Sequence, residues 1–187
     1  MADGPDELVG RIALGDHDAL HALYLEFRPR LWRYLAAQYD LEPASLDDLL
    51  QEVFLAVWHA APAYRPQGRA AAWIYAIARH HVSHARRDAS RLPKDAPIAD
   101  SNDGEPAPAA SFEDGLLTRL ALDDALAQLT PAHREVLRLA FMHGFSLQEI
   151  AQILEVPVGT VKSRISYARR ALIREYATAN GSEEGAR

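Results

Sequence analysis

Residues 146–172, SLQEIAQILEVPVGTVKSRISYARRAL, decide how the carboxy-terminal part of this chain folds. Ser146 and Glu149 have the spacing of a capping box, in which each side chain satisfies a free backbone N–H at the other's position, so a helix is expected from about Leu147. Glu155-Val156-Pro157 should end it. Pro157 has no N–H and disfavours helix at Val156, yet suits the first turn of a new helix, so a tight turn joins two helices. The pattern predicts a helix-turn-helix. Glu155 stands where such turns often carry glycine, and left-handed backbone there costs about 1 kcal/mol.

On the second helix, Val161, Ile165, Ala168 and Leu172 share one face, expected to pack on Ile150, Ala151 and Leu154 of the first. The opposite face carries Gly159, Ser163, Ser166 and Arg170, flanked by Lys162 and Tyr167. Small residues there allow close approach to base edges. Lys162, Arg164, Arg169, Arg170 and Arg174 supply positive charge, with no acid before Glu175. A solvated helix in a small bundle would explain the periodicity, but not the coincidence of capping box, turn and basic bias.

With these residues in view, the segment resembles region four of bacterial sigma factors, specifically the extracytoplasmic-function (ECF) branch, in the run Pro157-Val158-Gly159-Thr160-Val161-Lys162-Ser163-Arg164. Leu129-Thr130-Pro131-Ala132-His133-Arg134-Glu135-Val136-Leu137 is similar to that family's entry into the preceding helix, with Thr130 as cap and Pro131 in the first turn. The resemblance implies that duplex DNA of the minus-thirty-five element meets Gly159, Thr160, Lys162, Ser163, Arg164, Ser166, Tyr167 and Arg170. Ser166 and Tyr167 stand where relatives often carry larger or basic residues.

The chain has 187 residues, 49% of them hydrophobic, which suits two small packed domains. It has no cysteine, hence no disulfide or thiolate metal site. Its amino-terminal stretch, MADGPDELVGRIALGDHD, lacks a basic region followed by an apolar run, and no stretch is apolar enough to span a bilayer. A cytoplasmic protein without membrane insertion is expected. The net charge of −6 is unevenly spread: residues 1–91 carry 10 basic and 12 acidic side chains, 92–114 carry 1 and 6, and 115–187 carry 9 and 8. The acidic middle, LPKDAPIADSNDGEPAPAASFED, has few large apolar residues and reads as a flexible linker. The expected architecture is all-α, with helical domains over 1–91 and 115–178, a linker over 92–114 and a disordered tail over 179–187.

In the first domain, helical periodicity marks segments near 5–14, 17–39, 46–60 and 68–90, with Arg28-Pro29 bending or breaking the second. Ser45-Leu46-Asp47-Asp48 reads as the capping signal of the third. That third segment has two apolar faces. Leu49, Leu50, Val53, Ala56 and Val57 form one, and Phe54, Leu55 and Trp58 lie around Gln51 on another. Asp48, Gln51 and Glu52 argue that the second face meets a partner, whereas a central helix buried on all sides would carry no acids there. The segment is similar to the sigma region that docks on the clamp helices of the RNA polymerase largest subunit, which implies Asp48, Leu49, Gln51, Glu52, Phe54 and Trp58 as docking residues.

Downstream, AYRPQGRAAAWIYAIARHHVSHARR joins a loop at Tyr64–Gly68 to a helix with Trp73, Tyr75, Arg79, His80, His81, His84, Arg86 and Arg87. Aromatic rings replace the stacking lost by unpaired bases, at about 1–3 kcal/mol per base, while cations follow the phosphates. Trp73 and Ile77, four apart, are equally compatible with a core position. By resemblance this is the region that opens and reads the minus-ten element, with the loop accepting a flipped base. The residues so assigned are Tyr64, Arg65, Trp73, Tyr75, Arg79, His80, His84, Arg86 and Arg87. His80 stands where relatives often carry asparagine.

His80 and His84 have the spacing of two metal ligands, but the sequence places no third, so no metal or cofactor is expected. No phosphate-binding glycine loop, nucleophile elbow or paired-histidine motif points to an enzyme. The resemblance covers roughly residues 17–90 and 117–176. It implies assembly with core RNA polymerase, through the clamp helices of the largest subunit and the flap of the second-largest, promoter-directed initiation, and an anti-sigma factor that masks these surfaces. The competing reading is a dimeric helix-turn-helix regulator that needs no polymerase contact. It leaves the two-faced third helix unexplained.

Overall fold

A computed structural model describes residues 3–39, 43–89 and 129–181, with side chains through Ser83 in the second stretch and Arg174 in the third. The chain forms two compact units, and every regular element among the described residues is a helix. The linker expected over 92–114 lies outside the described residues, as do 182–187. The last helix runs to Gly181, past the expected end at 178.

The first unit contains α1 (Pro5–Ala13), α2 (His17–Gln38), α3 (Pro43–Ala60), a single 3-10 turn (Ala61–Ala63) and α4 (Ala70–Ala89). Helix α1 starts with Pro5 in its first turn, where the missing N–H costs nothing, and with Asp6 and Glu7 at the positive end of its dipole. It ends in a Schellman motif: Gly15 at φ +87° donates to the Ile12 carbonyl at 2.9 Å, and Asp16 N–H to the Arg11 carbonyl at 3.2 Å. Asp16 then caps α2 by accepting from the N–H groups of Asp18 and Ala19, at 2.9 and 3.1 Å. Its second carboxylate oxygen meets Arg11 at 2.7 Å. The Ala19 bond first, and then Arg11, hold the Asp16 carboxyl below the usual range.

Pro29 does not break α2. It is exposed, and the carbonyl it leaves without an intrahelical donor belongs to Leu25, itself 59% exposed, so water can satisfy it. Phe27, Leu31, Tyr34 and Leu35 anchor the helix in the core on either side. Helix α3 begins at Pro43 rather than beside Ser45. The earlier start buries Leu46 and frees Asp47 to accept from Arg28 of α2 at 2.8 Å, so Asp47 is a cross-helix partner and not a cap. Leu23 and Phe27 of α2, Leu50, Val53 and Val57 of α3, and Ile74, Tyr75 and Val82 of α4 fill the core with α1 residues Val9 and Ile12. Tyr34 and Tyr75 lie ring to ring at 5.2 Å in its centre.

The carboxy-terminal stretch of described residues holds α5 (Pro131–Leu137), a π-helical turn (Arg138–Met142), α6 (Leu147–Leu154) and α7 (Val158–Gly181). Thr130 caps α5 by accepting from His133 N–H, with Pro131 in the first turn. The capping box of α6 is complete: Glu149 accepts from Ser146 N–H at 2.8 Å, and Ser146 Oγ accepts from Glu149 N–H at 3.3 Å. Glu155 has φ +55°. Its N–H donates to the Gln152 carbonyl and Val156 N–H to that of Ala151 at 3.1 Å, the same Schellman pattern that Gly15 makes after α1.

The later turns of the inward face of α7 have a different partner from the one the sequence suggests. Ala168, with Ile165, Ala171 and Leu172 around it, packs on Leu129 and Leu137 at the two ends of α5. Val161, one turn into α7, is fully buried, as is Ile150 of α6. Helix α6 is short, so α5 supplies the surface for the later turns of α7.

Candidate nucleic-acid and partner interfaces

The free face of α7 emerges from the turn at Glu155. Gly159, Lys162, Tyr167 and Arg170 are exposed, and Thr160, Ser163, Arg164 and Ser166 are half-buried. A side chain at Gly159 would meet nothing within 4 Å, so the backbone there is open to close approach. Ser163 donates its hydroxyl to the Thr160 carbonyl at 3.0 Å, which leaves its oxygen as an acceptor toward solvent. Tyr167 is 38% exposed and stacks on His133, with centroids 4.4 Å apart. Lys162 and Arg170 add charge beside these small polar groups, an arrangement suited to phosphates flanking a base edge.

In the first unit, the loop between the 3-10 turn and α4 is held from inside. Tyr64 donates its hydroxyl to Asp6 of α1 at 2.7 Å, and its ring lies 4.7 Å from that of Trp73. Burial foremost, then the bond to Asp6, pushes the Tyr64 phenol up to about 12, so it stays a donor. Asp6 also accepts from the N–H groups of Gly68, Gln67 and Ala70, at 3.0, 3.3 and 3.2 Å. Burial raises the Asp6 pKa, but the combined bonds from Tyr64, Ala70, Gly68 and Gln67 outweigh it and hold the carboxyl below its usual value. Arg65, Pro66, Gln67, Gly68 and Arg69 all face solvent. No local sequence pattern identifies Asp6, because its partners lie about sixty positions away.

Further along α4, His80 is exposed and Arg79 half-buried, while the side chains of His84, Arg86 and Arg87 lie outside those described. Trp73 is half-buried, consistent with both readings of it. Tyr75 does not belong with these residues. It has no exposed surface, because at its position on α4 the ring faces Tyr34 across the core, and it cannot stack on a base in this fold.

The outer face of α3 is also divided. Asp48, Gln51 and Glu52 are exposed, and Leu55 presents 58% of its surface. Trp58 is half-buried, stacked on His17 of α2 at 4.5 Å with the planes 15° apart. Leu49, a docking residue by resemblance though on the first apolar face, and Phe54, expected on the outer face, are each only 5% exposed. Phe54 turns its edge to Tyr24 of α2 at 5.0 Å. The packing of α2 on α3 claims a broader arc than one stripe, which leaves a narrow ridge of Asp48, Gln51, Glu52 and Leu55 beside Trp58. Glu52 also lies 3.9 Å from His81 of α4.

Residues 23–92 match the sigma-70 region 2 family and residues 119–172 match sigma-70 region 4. The chain is 35% identical over 168 residues to the ECF RNA polymerase sigma factor SigL of Mycobacterium tuberculosis, covering 88% of this chain and 92% of that protein. It is 34% identical over 178 residues to the ECF RNA polymerase sigma factor SigC of the same species, covering 91% and 92%. The fold is shared with CnrH, solved in complex with the cytosolic domain of CnrY, at TM-score 0.64, 22% identity and coverage of 94% and 99%. It is also similar to the sigma factor RpoE of Bartonella quintana, solved with the anti-sigma factor NepR, at TM-score 0.60, 25% identity and coverage of 82% and 93%. Relatives matched over nearly their whole length, with both family regions in the same order along the chain, place this protein in the ECF family of RNA polymerase sigma factors.

Proposed function

We propose that this ECF sigma factor docks on core RNA polymerase through the ridge of α3, reads the minus-ten element as an unpaired strand with the loop at Tyr64–Arg69 and the exposed side of α4, and reads the minus-thirty-five element as duplex with α7. The observation that carries the reading is the α3 ridge. Asp48, Gln51, Glu52 and Leu55 remain exposed on a helix whose other faces are buried, and a regulator that acts through its helix-turn-helix alone has no use for it. Ser163, Ser166 and Tyr167 face the bases, while Arg164 and Arg174 serve phosphates or packing.

An anti-sigma factor is the proposed regulator. A protein of the same fold and 25% identity is known bound to one, and the α3 ridge is a surface such a partner would cover. The site of action is the cytoplasm, where the polymerase is. Mixing the purified chain with core polymerase in the absence of DNA tests the docking directly. Co-elution followed by run-off transcription from selected promoters is the expected result. A chain that binds promoter duplex as a dimer but never co-elutes with polymerase would instead be a polymerase-independent regulator.

A further inference from the structure

Asp6 is the least expected participant in the minus-ten surface. It sits in the first turn of α1, yet its carboxylate is the common acceptor for the loop that precedes α4. One oxygen takes the Tyr64 hydroxyl and the N–H groups of Gln67 and Gly68, and the other takes Ala70 N–H. Ala70 opens α4, and the residue before it is Arg69, whose side chain has only donors and cannot cap. Asp6 therefore supplies from another helix the cap that α4 lacks in its own sequence.

The same carboxylate dictates which way the loop faces. With the Gln67 and Gly68 N–H groups turned inward, and Gly68 at φ +69°, the side chains of Arg65, Gln67 and Arg69 point to solvent. The Tyr64 ring is fixed on Trp73 from below. Without this acceptor the part-buried Tyr64 hydroxyl and Ala70 N–H would lose their bonds to Asp6, and the exposed Gln67 and Gly68 N–H groups would pair with water, leaving the loop free to take other conformations.

We propose that Asp6 is a positioning residue for minus-ten recognition: from α1 it fixes the loop at Tyr64–Arg69 in the one conformation that discriminates the base it receives. This makes α1, which lies outside the matched region 2 span of residues 23–92, part of the promoter-reading apparatus. The inference rests on the reading of this loop as the acceptor of an unpaired base.

The test uses holoenzyme assembled from the full chain and core polymerase, with fluorescent single-stranded minus-ten oligonucleotides carrying each of the four bases or an abasic site at successive positions. Wild type is expected to discriminate by about tenfold or more at one position, the factor a good base contact supplies. In Asp6→Ala that ratio should fall to about threefold or less, while affinity for the abasic strand and for core polymerase changes less than about twofold. Asp6→Leu keeps a side chain of similar size without either acceptor oxygen, and serves where the alanine variant melts before assembly; it should also lose discrimination. Unchanged base preference in either folded variant overturns the proposal. Equal weakening on normal and abasic strands also overturns it, because the role is then structural alone. A wild type without base preference at any position removes the reading of the loop itself, an outcome distinct from the other two.

Discussion

Tyr167 of α7 lies flat against His133 of α5, with ring centroids 4.4 Å apart and planes within 21° of parallel. His133 is itself anchored, its Nδ1 2.8 Å from Thr130 Oγ1 at the cap of α5. The orientation of a residue on the recognition helix is thus set by the start of another helix, and the ring presents its free side outward as a preoriented surface.

Replacing Tyr167 by alanine should change the preferred minus-thirty-five sequence at one or two base pairs, since a lost base contact costs about 1–3 kcal/mol. His133→Ala should shift the same positions by less, through the loosened ring. Arg174→Ala should instead weaken every duplex alike and flatten the salt dependence. Promoter-library selection on the holoenzyme separates these outcomes. A Tyr167 variant that keeps the full wild-type preference, with lower affinity only, would make Tyr167 a backbone contact.

On α3, Phe54 and its neighbours Gln51, Glu52 and Leu55 should behave in opposite ways. Phe54→Ala removes a core ring and should destabilise the first unit by about 3–5 kcal/mol. Gln51→Ala with Glu52→Ala, or Leu55→Asp, should leave helicity and melting nearly unchanged while weakening core polymerase binding by about tenfold. Circular dichroism and a binding titration on the same samples check both. Unaltered polymerase affinity in both surface variants would remove the ridge as a docking site.

Glu155 occupies with φ +55° the position that Gly15 fills after α1 with φ +87°. Glu155→Gly should therefore stabilise this helix-turn-helix by up to about 0.5 kcal/mol, the left-handed penalty of about 1 kcal/mol less the extra entropy of the unfolded glycine chain. Ser146→Ala should destabilise it by about 1 kcal/mol through loss of the cap. Urea denaturation reads both, and a Glu155→Gly midpoint at or below wild type would show that the Glu155 side chain makes a compensating contact.

Alkaline pH should melt the first unit. Burial pushes the Tyr75 phenol up to about 12, outweighing the opposing pull of Arg30 and Arg33, whereas a phenol in the unfolded chain ionises near 10. The stabilisation is complete below pH 10 and is lost as pH rises through 12, for a loss of about 2–3 kcal/mol from Tyr75 alone. Tyr64, also raised to about 12 but only half-buried, adds a smaller share in the same window. Far-UV circular dichroism from pH 9 to 12 should show the transition in wild type and a shallower one in Tyr75→Phe. Identical profiles for the two would refute the assignment.

Several features were legible because their causes are local. Ser146 and Glu149 are three residues apart and cap each other in any context that allows a helix, and Thr130-Pro131 acts the same way. The left-handed residue at Glu155 followed from the short gap between a helix end and Pro157. The apolar period of α1 to α4 was likewise enough for an all-helical first unit, with boundaries displaced by two or three residues at most.

Which of two apolar faces is buried, and what meets it, is a different kind of question. Helical spacing put Phe54 and Tyr75 beside exposed neighbours, and only the approach of α2 to both helices decided that they are core. The same spacing found the inner face of α7 but not that its later turns, at Ile165, Ala168 and Leu172, meet Leu129 and Leu137 of the α5 segment. Asp6 is the extreme case. Its sequence neighbours mark it as a first-turn acid, and its bonds to Tyr64, Gln67, Gly68 and Ala70 exist only because the packed helices bring the start of α1 beneath that loop. Sequence by itself determined where helices begin, end and turn, since those free energies arise within one or two turns of chain. Tertiary structure alone decided which faces remain free and which distant carboxylate holds the loop, since those depend on how whole helices meet.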